Sequence, residues 1–105
     1  MSHGIEQLFK ENQALLLRER RSAERVPFAR PVVIQPCRGQ EKFHGFTRDI
    51  STLGVGVISP VPWELSAIAS LDIHSLNGRD VKLKVESRWC DPYGDGWYLI
   101  GFVFR

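Results

Sequence analysis

The chain has 105 residues, 43% of them hydrophobic and 25% charged, with a formal net charge of +2. That length supports one modest hydrophobic core and not two, which excludes a second independent domain within the chain. A net charge so near neutrality gives no global attraction for a nucleic-acid polymer or an anionic membrane, and no apolar run approaches the roughly 20 residues of a membrane helix.

The first segment, Ile5 to about Leu17, places Ile5, Leu8, Phe9, Leu15 and Leu16 near a period of 3.6, with Gln7, Lys10 and Glu11 opposite. This pattern predicts one amphipathic helix, which either packs on its own domain or makes a homodimer or partner contact. The charges at Glu6, Lys10 and Glu11 interrupt the apolar run that a signal peptide would need, so a cytoplasmic location is expected. Between positions 18 and 30 come five arginines (Arg18, Arg20, Arg21, Arg25, Arg30) against two glutamates (Glu19, Glu24), a local balance of +3. A small anion suits that segment better than a polymer does.

After Pro27 the pattern changes to short runs of β-branched and aromatic residues separated by Gly, Pro, Asn and Asp. Strands are expected at 29–35, 41–48, 55–59, 67–74, 81–89 and 97–104. In the fifth run Val81, Leu83 and Val85 alternate with Lys82, Lys84 and Glu86, one face for a core and one for water. Asn77-Gly78 suits a type I′ turn joining the fourth and fifth runs, and the segment from Asp91 to Gly96 turns the chain into the last run. Six such strands predict an all-β barrel preceded by one helix.

Catalysis finds little support. His3, His44 and His74 are scattered, and no serine sits in a Gly-x-Ser-x-Gly setting. Cys37 and Cys90 form no CxxC and have no zinc-spaced histidines, and Asp91 and Asp95 bracket a glycine-rich turn without the spacing of a calcium loop. The chain is therefore expected to be a non-enzyme without metal or cofactor. Phe43, His44 and Phe46 could serve as a base-stacking platform, but the low charge argues against a single-strand RNA binder.

Two clusters carry more. Arg21 and Arg25 stand four residues apart, on one side of a helical turn or ~13 Å apart in extended chain, and either spacing can grip an extended anion. Arginine offers a fixed fork of donors for phosphate or a guanine O6/N7 edge, and a flat face for stacking. Downstream, Asp49-Ile50-Ser51-Thr52-Leu53-Gly54 ends the second strand, where alternation sends Asp49 and Ser51 to the outside and Ile50 to the core. A carboxylate there can accept from guanine N1–H and N2–H. Gly54 would permit positive φ or the close approach of a ligand.

Together these residues resemble the PilZ domain family, which pairs R-x-x-x-R with a downstream [D/N]-x-S-x-x-G. Arg21 to Arg25 match the first motif and Asp49 to Gly54 the second, and the run Tyr98 to Phe104 is similar to the family's last strand. The resemblance covers residues 20–105, with residues 1–19 as a helical extension, and implies a six-stranded antiparallel barrel that binds cyclic di-GMP, a bacterial second messenger, on its outer surface. Arg21 and Arg25 would clasp phosphates and guanines, Asp49 and Ser51 would hold a guanine, and Gly54 would leave space. Arg20, just before the first motif, implies two stacked ligand molecules per chain. Many members continue into a C-terminal helix and this chain stops at Arg105, so the N-terminal helix is the candidate cover for the barrel's open end. With no partner domain in the chain, the signal is expected to pass to a separate effector protein. A PilZ-like adaptor that binds no nucleotide is the alternative, against which the intact motifs argue.

Overall fold

Alternation of apolar and polar residues is what an antiparallel sheet with one wet face requires, and burial alternates accordingly over residues 31–35, 68–73 and 81–85. A computed structural model of the protein describes residues 24–39 and 41–105. The expected helix at 5–17 and residues Arg20 and Arg21 lie outside the described residues. The strands are β1 (Val26–Pro27), β2 (Pro31–Pro36), β3 (Phe43–Ile50), β4 (Gly54–Ser59), β5 (Ile68–Ile73), β6 (Val81–Gly94) and β7 (Trp97–Phe104). Their order is β1-β3-β2-β5-β6-β7-β4, all neighbours are antiparallel, and a β3–β4 pairing closes the ring. Six strands thus make a closed barrel, and β1 is an extra strand on β3 that the sequence did not disclose.

The barrel is filled by inward residues of every strand, among them Ile34, Ile50, Val55, Val57, Leu71, Val85, Ile100 and Phe102, all but excluded from solvent. Each such side chain contributes about 1.5–3 kcal/mol by leaving water. Phe28 joins this core from the β1–β2 connection, and Trp63 packs on it from the β4–β5 connection, edge-on to Phe102 with ring centroids 5.7 Å apart. The N-terminal helix expected to cover the open end of the barrel falls outside the described residues. No helix among the described residues is long and apolar enough to cross a membrane.

Two turns differ from expectation. The β6–β7 hairpin closes through Asp95-Gly96 alone, with φ of 52° and 82°, flanked by the pair Gly94↔Trp97. Positive φ at both central residues is the type I′ geometry, here on an Asp-Gly pair. Asn77-Gly78 does not take that form, because only Gly78 has positive φ, at 87°. The β5–β6 ladder stops at Ile73↔Val81, and Asn77 Oδ1 instead accepts from Ser75 Oγ at 2.8 Å and from the Arg79 amide at 3.1 Å. β6 also runs five residues past the expected end at Trp89. Its pairing with β5 ends at Ile68↔Glu86, so beyond that point it has β7 on one side only and tolerates Pro92, whose missing N–H an edge can spare.

Candidate ligand-binding site

β1 is short, but its register places Arg25, the last residue of the first motif, beside the second. Val26 pairs with Ile50 and Pro27 with Asp49, which delivers Arg25 to the end of β3. There Arg25 Nη1 donates to Asp49 Oδ1 at 2.8 Å. The corner is tied by Thr47, whose buried hydroxyl accepts the Arg30 amide at 2.8 Å and donates to the Phe28 carbonyl at 2.6 Å.

Asp49 faces outward, but simple alternation is not the cause. The β3–β4 register shifts between Thr47 and Asp49, so Arg48 is an extra residue and both Arg48 and Asp49 project from the barrel while Ile50 points in. The bulge brings a cation that sequence reasoning missed. Arg48 Nε and Nη2 both donate to Asp49 Oδ2, at 3.1 and 2.8 Å, so the carboxylate is held between two guanidiniums.

Ser51 stands otherwise than expected. It was to lie on the outside beside Asp49; it is 2% exposed. The strand ends at Ile50, so alternation does not reach it. Its Oγ accepts the amides of Leu53 at 3.1 Å and Gly54 at 3.2 Å, and its own amide donates to the Gly54 carbonyl at 2.8 Å. Ser51 thereby builds the β3–β4 turn that carries Asp49. Gly54 also differs. Its φ is outside the positive range, and a Cβ there would overlap the Phe102 carbonyl of β7, so the missing side chain lets the two strands approach.

The glycines that clear the outer face are two others. Asp49 pairs with Gly56, Gly56 with Gly101, and Gly101 with Trp89, one row across β3, β4, β7 and β6. Directly paired residues share a face, and the neighbours Val55, Val57, Ile100 and Phe102 point inward, so this row lies outside. A Cβ on Gly56 would come within 2.5 Å of Asp49 Oδ1, and one on Gly101 would overlap the Trp89 indole. The carboxylate and the indole therefore lean from either side over a glycine floor. Trp89 leaves the β6 alternation by the same device as Asp49, a register shift between Ser87 and Trp89. A glycine at the outward position of a strand, as in Val55-Gly56-Val57 and Ile100-Gly101-Phe102, is the sequence signal that could have disclosed this floor.

Among the described residues no group of three or more His, Cys, Asp or Glu side chains could hold a metal ion. Cys37 is exposed and Cys90 partly buried, both as free thiols.

The described residues thus form a closed antiparallel barrel whose outer face carries a carboxylate held between two guanidiniums and, across a glycine floor, an indole. The family model of the PilZ domain matches residues 19–105, and the chain belongs to that family. PilZ domains are in general cyclic di-GMP receptor and adaptor domains. No curated protein matches the chain.

Proposed function

We propose that this protein is a cytoplasmic cyclic di-GMP receptor that binds the messenger on the outer face of its barrel, without cofactor or catalysis, and relays the signal to a separate effector protein. The observation that carries this reading is the 2.8 Å contact between Arg25 and Asp49, one residue from each motif, at the edge of the glycine-floored row. A guanine edge presents the donors N1–H and N2–H, which a carboxylate accepts, and the phosphates take guanidinium donors.

The apo geometry gives this exchange a definite form. A carboxylate offers about four acceptor sites. Arg25 and Arg48 already fill three of Asp49's. Two guanine donors bring the demand to five, so at least one arginine bond is released on binding. The released guanidinium then faces the ligand's phosphates, and Asp49 is never left unpaired. Trp89, across Gly56 and Gly101, supplies a flat apolar surface on which a base can stack.

In this reading Arg21 and Arg25 grip the phosphates, Asp49 holds a guanine, and Ser51 and Gly54 act by fixing the turn and the strand approach that present it. Arg20 recruits a second cyclic di-GMP stacked on the first, giving two per chain. The barrel domain spans 20–105, with residues 1–19 as an extension. Titration calorimetry with cyclic di-GMP, linear pGpG and GTP tests the reading: cyclic di-GMP binds in clear preference to both. Equal binding of all three, or none, overturns it.

A further inference from the structure

A second feature of the outer face involves none of the motif residues. At the tip of the β6–β7 hairpin, Phe46, Tyr93 and Trp97 line a cleft of about 340 Å³ together with Ile58, Gly94 and Asp95. The rings come from three strands. Phe46 lies opposite Ile58 on the β3–β4 ladder, Trp97 opposite Gly94 on the β6–β7 ladder, and Tyr93 sits at the register shift between Pro92 and Gly94.

Phe46 is 51% exposed and Tyr93 49%, a large aromatic surface for one small barrel to leave in water. Phe46 and Trp97 do not stack. Their centroids are 6.5 Å apart and their planes inclined by 50°, so the two rings form walls at an angle. The cleft holds three π-systems and one carboxylate, and among the described residues no cation lines it. Ring faces carry the negative end of the aromatic quadrupole, so both kinds of wall favour a positive charge between them.

The carboxylate is placed there by the backbone. Asp95 sits at φ 52° in the two-residue turn, between Gly94 at 111° and Gly96 at 82°, a conformation that fixes the direction of its Cβ. Among the described residues Asp95 makes no ion pair.

We infer that this cleft is an aromatic cage for a basic side chain, a lysine ammonium or arginine guanidinium, presented by a partner protein. The half-exposed walls favour a tethered cation over a free one. A small free ion in so open a cleft keeps much of its hydration, whereas a side chain held by a wider interface has already met the cost of association. The cage is also continuous with the motif-bearing strand, because Phe46 stands two residues before Arg48 and three before Asp49 on β3. A partner seated on the cage would border the ligand site.

The test is an NMR titration of the full ¹⁵N-labelled chain, read at the Trp97 indole N–H, which a Trp97→Phe variant assigns. Three probes are compared: acetyl-lysine N-methylamide, its neutral norleucine analogue, and tetramethylammonium. The lysine probe shifts Trp97 with an affinity about fivefold above that of norleucine, the size expected of an exposed cation–π contact. Asp95→Asn, which keeps a residue tolerant of positive φ, weakens lysine binding by about threefold and leaves the apo spectrum of the barrel intact. Phe46→Leu removes the preference for lysine over norleucine. Equal affinity for norleucine makes the cleft a plain apolar groove and overturns the inference. Tetramethylammonium binding about tenfold tighter than lysine assigns the cage to a free small cation and overturns the protein partner. Absence of any Trp97 shift overturns both.

Discussion

Substituting Gly56 by alanine should separate ligand binding from stability, and Gly54→Ala should not. At Gly56 the obstacle to a Cβ is the end of a side chain, Asp49 Oδ1 at 2.5 Å. The carboxylate can swing aside, at the expense of its 2.8 Å contact with Arg25, whose side chain is 38% exposed. An exposed pair of this kind is worth about 0–1 kcal/mol, so the melting temperature of the apo protein should fall by no more than about 8 °C. Binding should suffer more. If Asp49 no longer meets the guanine edge, one charge-assisted hydrogen bond of about 1.5–3 kcal/mol is lost, roughly one to two orders of magnitude in Kd. At Gly54 the obstacle is the Phe102 backbone carbonyl, which cannot move without opening the β4–β7 ladder. Overpacking there costs about 1–3 kcal/mol, and the loss appears in thermal unfolding. Calorimetry with cyclic di-GMP and thermal unfolding on both variants decide the matter. Wild-type affinity in Gly56→Ala would refute the placement of the guanine at Asp49.

Trp89→Ala should weaken cyclic di-GMP binding about tenfold, as expected for the loss of one base–aromatic stacking contact, read by calorimetry. Ser51→Ala should lower stability by about 1–3 kcal/mol in urea unfolding, since the Leu53 and Gly54 amides lose their shared acceptor. Arg20→Leu should reduce the calorimetric stoichiometry from two ligands per chain to one, and two ligands in that variant would show that Arg20 does not set the number.

Much of the barrel could be read before the structure, for a physical reason that also marks the limit. In β6 the alternation from Val81 to Val85 returns as buried valines and leucine between exposed lysines, and β7 spans the expected residues. Period-two patterning is a property of each strand alone. What depends on strand pairing was not legible. The length of β6 depends on where β5 stops, and the type I′ turn fell on Asp95-Gly96 because the β6–β7 ladder continues to Gly94↔Trp97. At the site, the Asp49 position was readable, but the bulge that turns Asp49 outward and adds Arg48 exists only in the register against β4. The burial of Ser51 and the strand approach at Gly54 were not legible either. A serine and a glycine after a strand serve a turn and a neighbouring strand equally well as a ligand, and only burial separates these uses. Trp89 and the two floor glycines needed the row of pairings across four strands. Arg20 and Arg21 lie outside the described residues, and their roles rest on the motif.

The most direct measurement of the central claim is a calorimetric titration of cyclic di-GMP into the wild-type chain, an Asp49→Ala variant and an Arg21→Ala/Arg25→Ala double variant, with the apo melting temperature of each recorded alongside. Wild type should bind. The double variant should lose several kcal/mol, each charged hydrogen bond being worth about 1.5–3, and Asp49→Ala should lose at least tenfold. Asp49 is held by partly exposed arginines rather than by the core, so its removal should lower the melting temperature by no more than about 8 °C for each of its two ion pairs. Wild-type affinity in the double variant, or a loss in Asp49→Ala that merely tracks a fall in stability, would contradict the assignment of the site.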